Sequence, residues 1–178
     1  METEVQLVPL TPDDREQFIR DNQRAFLYGA TQEFGTRDEH FEEDGEIISH
    51  DTIAKCIDAL DTEAYRIMQG ETKVGGLVLQ LSPEECHGEL LLLFVRPESH
   101  SKGIGFAAWN AVEAMHPEID VWETCTPYFE KRNIHFYVNR CGFHIVEFFC
   151  AAHPDPLCDP GEPVEGPDEM FRFEKIIR

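Results

Sequence analysis

Positive charge is what this chain has least of: 15 Lys and Arg stand against 35 Asp and Glu, a formal net charge of -20. That balance repels a polyphosphate backbone and attracts cations, so nucleic acid is not expected as a partner. Long apolar runs are missing too. None approaches the roughly 20 residues of a membrane-spanning helix, so no membrane partner is expected. The start METEVQLVPL has neither the basic end nor the apolar core of an export signal, and the expected location is cytoplasmic. No C-x-x-C pair occurs among the six cysteines, which are expected to be reduced thiols. The tightest group, Cys150, His153 and Cys158 in CAAHPDPLC, has no recognised zinc spacing, and no metal is expected.

The chain does have 42% hydrophobic residues over 178 positions, enough to bury one core, and residues 1–178 are read as a single domain. VQLVPL reads as a strand. Thr11, Pro12, Asp13 and Asp14 then open a helix to about residue 29, with Thr11 as its cap. Ser49 caps a second helix on which Ile53, Cys56, Ile57 and Leu60 recur at helical spacing. AYRIMQ, KVGGLVLQL and GELLLLFV are three short strands joined by turns, the signature of an antiparallel meander. FAAWNAVEAM is a helix, IDVWETCTP a strand, YFEKRNIHFYVNRC a helix with Gly142 at its left-handed cap, and HIVEFFCAA and MFRFEKII are the last strands. The order describes an α+β fold, a mixed central sheet of about seven strands flanked by about four helices.

One turn stands out. In FVRPESHSKGIGFAAW a strand runs through a proline and small residues into G-I-G at a helix start. Helix N-termini present amides without intrahelical partners plus about half a positive charge, and glycines let an anion approach the backbone. Lys102 adds a cation. The phosphate loop G-x-x-x-x-G-K-[ST] is absent, and Ala108 stands where a dinucleotide fingerprint needs its third glycine.

With the strand ending V-R-P before it and HFYVNRCGFHIVEF after it, this turn resembles the acetyl-coenzyme A loop of the GNAT N-acetyltransferases. In that family V-x-P leads into [QR]-x-x-G-x-[GA], and F-Y-x-x-x-x-G-F follows downstream. The resemblance covers essentially the whole chain and implies acetyl-CoA as cosubstrate. It implies that backbone groups of Phe94 and Val95 hold the pantetheine arm and that the amides of Ser101, Lys102, Gly103, Ile104, Gly105 and Phe106 take the pyrophosphate. The first loop position, Gln or Arg in the family, is His100 here, to which no contact is assigned. The family's asparagine position holds Glu130, with Asn133 further on; either is a candidate to face the cofactor.

Direct acetyl transfer to an amine needs a base for an ammonium of pKa about 10.4, a donor for the thioester oxygen and stabilisation of the departing thiolate. The resemblance implies Tyr137 as the acid. Glu89, placed with Leu91, Leu93 and Val95 on one strand face by simple alternation, is a candidate base; Glu33 and the carboxylates of residues 38–46 are alternatives. The expected reaction is acetylation of a primary amine of a small molecule or peptide, with a cationic acceptor such as a polyamine, an aminoglycoside-like amine or a lysine or N-terminal amine suggested by the acidic composition. The alternative is a non-catalytic acyl-CoA-binding module. The apolar HIVEFF and MFRFEKII runs could serve a homodimer or the internal sheet.

Overall fold

The computed structural model describes residues 3–30, 46–128, 130–157 and 169–178. Seven strands form one mixed sheet in the order β1-β2-β3-β4-β5-β7-β6. They are β1 (Gln6–Pro9), β2 (Thr62–Gln69), β3 (Thr72–Ser82), β4 (His87–Val95), β5 (Val121–Pro127), β6 (His144–Phe149) and β7 (Met170–Ile176). The helices are α1 (Arg15–Tyr28), α2 (His50–Asp58), α3 (Ile104–Met115) and α4 (Lys131–His135). The expected meander is there: β2, β3 and β4 pair antiparallel in sequence. β7 inserts between β5 and β6, so MFRFEKII is internal sheet and β6 is left at the edge with Ile145, Val146 and Phe148 exposed.

The local chemistry of the helix ends explains where they start. The Ser49 hydroxyl accepts from the Thr52 amide at 3.1 Å, the cap read from the sequence. Thr11 makes no such bond; residues Pro12–Asp14 turn as a 3₁₀ helix first, and α1 begins only at Arg15. Asp14 is then free for another task. With Asp21, it brackets the buried Arg66 of β2, at 2.7 and 2.9 Å, and Asp21 also receives Arg96 at 2.8 Å. This ion cluster ties α1 to the strand ends on which the site is built. The last helix departs from its expected form: α4 is short and continues as a π turn over Phe136–Arg140, with the Cys141 amide reaching back to the Phe136 carbonyl at 3.0 Å.

Two apolar layers cover the sheet. On one face Trp109 and Val112 of α3 pack with Leu77, Leu90, Trp122, Tyr137 and Phe143; on the other Phe18 and Ile19 of α1 and Ile53 of α2 pack with Val78, Leu92 and Phe94. Gly75 and Gly76 let these layers close on β3. A Cβ on Gly76 would stand 2.3 Å from Phe18, and one on Gly75 would stand 2.3 Å from the Phe94 carbonyl oxygen.

Candidate active site

The sheet opens where β4 meets β5. These strands run parallel but pair only from His87 opposite Val121 to Leu90 opposite Thr124; beyond that, Leu91–Val95 and Cys125–Pro127 part. The gap exposes one edge of each strand. Which backbone groups of β4 line it follows from β3: the Arg96 amide donates to the Val74 carbonyl at 2.8 Å, and in an antiparallel ladder the groups of every second residue face the same neighbour. Phe94 therefore turns its amide and carbonyl to β3, while Leu93 and Val95 turn theirs to the gap. Of the two strand-end residues expected to hold a ligand by their backbone, Val95 faces the gap and Phe94 does not, its ring instead meeting Phe18 edge-on at 5.1 Å.

Beside the gap lies the G-I-G turn. Ser101 and Gly103 both adopt left-handed backbone, at φ 62° and 72°, and the strained serine costs about 1–2 kcal/mol. Gly103 is the cap of α3 and supplies no side-chain hydrogen bond. The first intrahelical bond is that of the Ala107 amide to the Gly103 carbonyl at 3.0 Å, so the amides of Ile104, Gly105 and Phe106 belong to the uncapped first turn. The turn is held from outside: Thr3 donates its hydroxyl to the Lys102 carbonyl at 2.6 Å, and the Lys102 ammonium reaches the Glu98 carbonyl at 3.3 Å. Phe106 lies under the Arg140 guanidinium, 5.1 Å from its ring centre. A Cβ on Gly105 would meet Phe136 at 3.4 Å and the Val95 side chain at 3.9 Å, which shows how close the turn, the strand end and the π turn come. Bare first-turn amides and two glycines suit a phosphate-bearing ligand such as the pyrophosphate of coenzyme A.

His100 acquires a place that sequence reasoning did not assign. Its Nε2 is 2.7 Å from the Val95 carbonyl, and Arg132 of α4 reaches its Nδ1 at 3.5 Å. A guanidinium can only donate and a carbonyl can only accept, an arrangement that suits Nδ1 as acceptor and Nε2–H as donor. One side chain thus joins the turn, the end of β4 and the last helix.

Tyr137 sits on the α3 face of the gap, buried against Phe143 and Phe173. Burial pushes its phenol well above the ordinary range, and a hydrogen bond to Thr124 offsets part of that rise. Thr124 itself donates to the Leu90 carbonyl at 2.9 Å. Asn133 donates to the Thr126 hydroxyl at 3.1 Å, so its amide fastens α4 to β5 at the gap rather than reaching the G-I-G turn; Glu130 precedes α4 as its cap residue. Thr124 and Thr126 were missed in the sequence. Their signal was present: two hydroxyls two residues apart in WETCTP, on the strand face that carries Trp122 into the core.

Glu89 is on the opposite face from where alternation put it. Leu92 opposes Val78 but Leu90 opposes Leu79, so Leu91 is the extra residue of a β-bulge. Leu90, Leu93 and Val95 pack toward α3, Leu91, Leu92 and Phe94 toward α1 and α2. Glu89, next to Leu90, therefore faces α2 with Leu91 alone of its expected companions, and the charge of Glu89 is felt by the Cys56 thiol of α2. Burial, then the neighbouring Glu123, holds its carboxyl above the usual glutamate value. Glu89 and Tyr137 thus stand on opposite faces of the gap. The rival carboxylates Glu33 and those at 38–44 lie outside the described residues, and Glu46 lies at their border.

Residues 15–143 match the Acetyltransferase (GNAT) family. The chain is 41% identical over 170 residues to the uncharacterized protein YrkN of Bacillus subtilis (strain 168), covering 93% of this chain and 89% of that protein. Its fold is similar to that of the ribosomal-protein-S18-alanine N-acetyltransferase of Escherichia coli (TM-score 0.67, 14% identity, 98% and 94% of the two chains). It is also similar to the spermidine N-acetyltransferase of Vibrio cholerae in complex with CoA and spermine (0.65, 14%, 98% and 96%) and to the PaiA N-acetyltransferase of Thermoplasma acidophilum in complex with coenzyme A (0.62, 16%, 97% and 99%).

Proposed function

The chain belongs to the GNAT acetyltransferase family, and from that premise we propose that it transfers an acetyl group from acetyl-CoA directly to a primary amine. The observation that carries the reading is the parted edge between β4 and β5, with the uncapped α3 turn and Tyr137 on one face and Glu89 on the other. Acetyl-CoA, when bound, supplies the activated acyl thioester. The first-turn amides of α3 and Lys102 hold its pyrophosphate, and the gap-facing backbone of Leu93 and Val95 receives the pantetheine arm and offers an amide to the thioester oxygen.

Glu89 then takes a proton from the acceptor ammonium arriving from the α1 and α2 face. Its raised carboxyl makes it a stronger base than an ordinary glutamate while leaving it a carboxylate-type acceptor. Tyr137 serves the leaving sulfur as a hydrogen-bond donor. A phenol of ordinary pKa about 10 already holds its proton more tightly than a thiol of about 8.5, so full transfer to the thiolate is uphill, and burial makes it more so. The acidic surface and the structural likeness to a spermidine N-acetyltransferase support a cationic acceptor.

The test is a panel of amines (spermidine, an aminoglycoside, lysine and a short peptide with a free N-terminus) with acetyl-CoA, following release of free CoA with a thiol reagent. Release with at least one amine supports the enzyme. Tight acetyl-CoA binding with no release from any of them would instead indicate a module that binds acyl-CoA without turning it over.

A further inference from the structure

Glu89 does not stand alone on its face. Glu123 is its partner across β4 and β5, and parallel neighbours in register sit about 4.8 Å apart with side chains on the same side. Two carboxylates placed so closely would ordinarily separate by rotating into solvent. Glu123 cannot: one oxygen is bound by the Arg172 guanidinium of β7 and the other by His87 Nε2 at 3.0 Å. Arg172 is in turn shared with Glu147 at 3.2 Å and with Glu174 at 3.8 Å, so three carboxylates stand against one guanidinium and the cluster around Glu123 stays net negative.

We propose that Glu123 is a positioning residue of the transfer reaction, a carboxylate fixed by Arg172 and His87 whose negative charge strengthens Glu89 as the acceptor of the substrate proton. The idea rests on the reading of Glu89 as the base. Among the described residues, the charged and titratable groups facing Glu89 are Glu123 of β5, His87 of β4, Arg172 of β7, Asp155 of the segment after β6, and the thiols of Cys56 and Cys125. Glu123 and Asp155 favour the protonated form of Glu89; His87 and Arg172 oppose it. Glu123 acts on Glu89 more strongly than Asp155 does, and the strand pairing together with Arg172 and His87 keeps it in place. The thiols do not compete for the role of base: burial first, and then Glu89, push Cys125 up to about 12, so it stays protonated.

The experiment follows the Glu89 carboxyl carbon by NMR in ¹³C-glutamate-labelled protein, its resonance identified by loss in Glu89→Gln. In Glu123→Gln the titration midpoint of Glu89 should move to lower pH, and in Glu123→Asp, which keeps the charge but draws it back, it should move less. With spermidine as the probe amine, Glu123→Gln should shift the acidic limb of kcat/KM the same way and lower its plateau several-fold, because a weaker base stays ionised at lower pH but removes the proton less well. A role confined to packing would lower the plateau without moving the limb. An unmoved Glu89 midpoint in both variants overturns the proposal, whatever spermidine does. A lowered midpoint together with full spermidine turnover in Glu89→Gln overturns the assignment of the base, and the catalytic role of Glu123 with it.

Discussion

Replacing Tyr137 by phenylalanine isolates one hydroxyl in a packed site. The ring contacts with Phe143 and Phe173 survive the change, and Thr124 keeps its donation to the Leu90 carbonyl. Folding loses a single hydrogen bond, a cost of about 1 kcal/mol. The catalytic loss is larger. A hydrogen bond to a charged group is worth about 1.5–3 kcal/mol, and a donor aimed at a developing thiolate acts mainly in the transition state, so kcat should fall roughly 10- to 150-fold. Full general-acid catalysis would cost about 10²–10⁴-fold, so a loss well above about 150-fold would indicate proton transfer rather than hydrogen bonding alone. The assay is CoA release under saturating acetyl-CoA with whichever amine the panel identifies, accompanied by calorimetric measurement of acetyl-CoA binding. Unchanged kcat with normal binding refutes a role for the hydroxyl. A fall in kcat matched by weakened cofactor binding would refute the transition-state argument and leave Tyr137 as a packing residue.

Three further outcomes are expected. Glu89→Gln should lose transfer activity yet be more stable than the parent at pH 7 and equal to it near pH 4 by thermal unfolding; burial and Glu123 raise the native carboxyl above its reference value of 4.5, so the benefit of the neutral form is complete below that value and is lost as pH climbs through the native one. Asp21→Ala should destabilise the chain by about 3–5 kcal/mol in urea, because it strips Arg66 and Arg96 of a buried partner. Burial alone would raise Asp21, but bonds from Arg96, Gln17 and Arg66 hold it below the usual carboxylate value; the stabilisation is therefore present above an unfolded value near 3.8 and disappears on acidification, and the variant should lack that acid-sensitive component. His100→Ala should weaken acetyl-CoA binding up to about 10-fold by calorimetry, since it frees the Val95 carbonyl and the end of β4 from the turn at roughly 1 kcal/mol per hydrogen bond.

Much of the site was legible in the chain because its signals are local. A strand, two glycines and a helix start within a dozen residues can be read as an amide nest, and F-Y followed by G-F marks a helix and its left-handed stop, which Gly142 supplies at φ 81°. Ser49 at its helix start needed nothing more than the residue and its neighbours. The face of Glu89 was not legible in this way. Period-two alternation assumes an unbroken ladder, and the extra residue at Leu91 arises only when β3 and β4 pair; the slip of one position reverses every side chain on one side of it.

The sequence by itself determined the α+β element order and the glycine turn that opens α3, since each depends on backbone preferences over a few residues. Only the tertiary structure decided that Val95 and not Phe94 offers its backbone to the gap, that His100 links the turn to β4 and α4, and that Glu89 faces Glu123 across two strands. These are contacts between residues distant along the chain, chosen by strand register and by the pairing of charges that burial makes costly to leave alone.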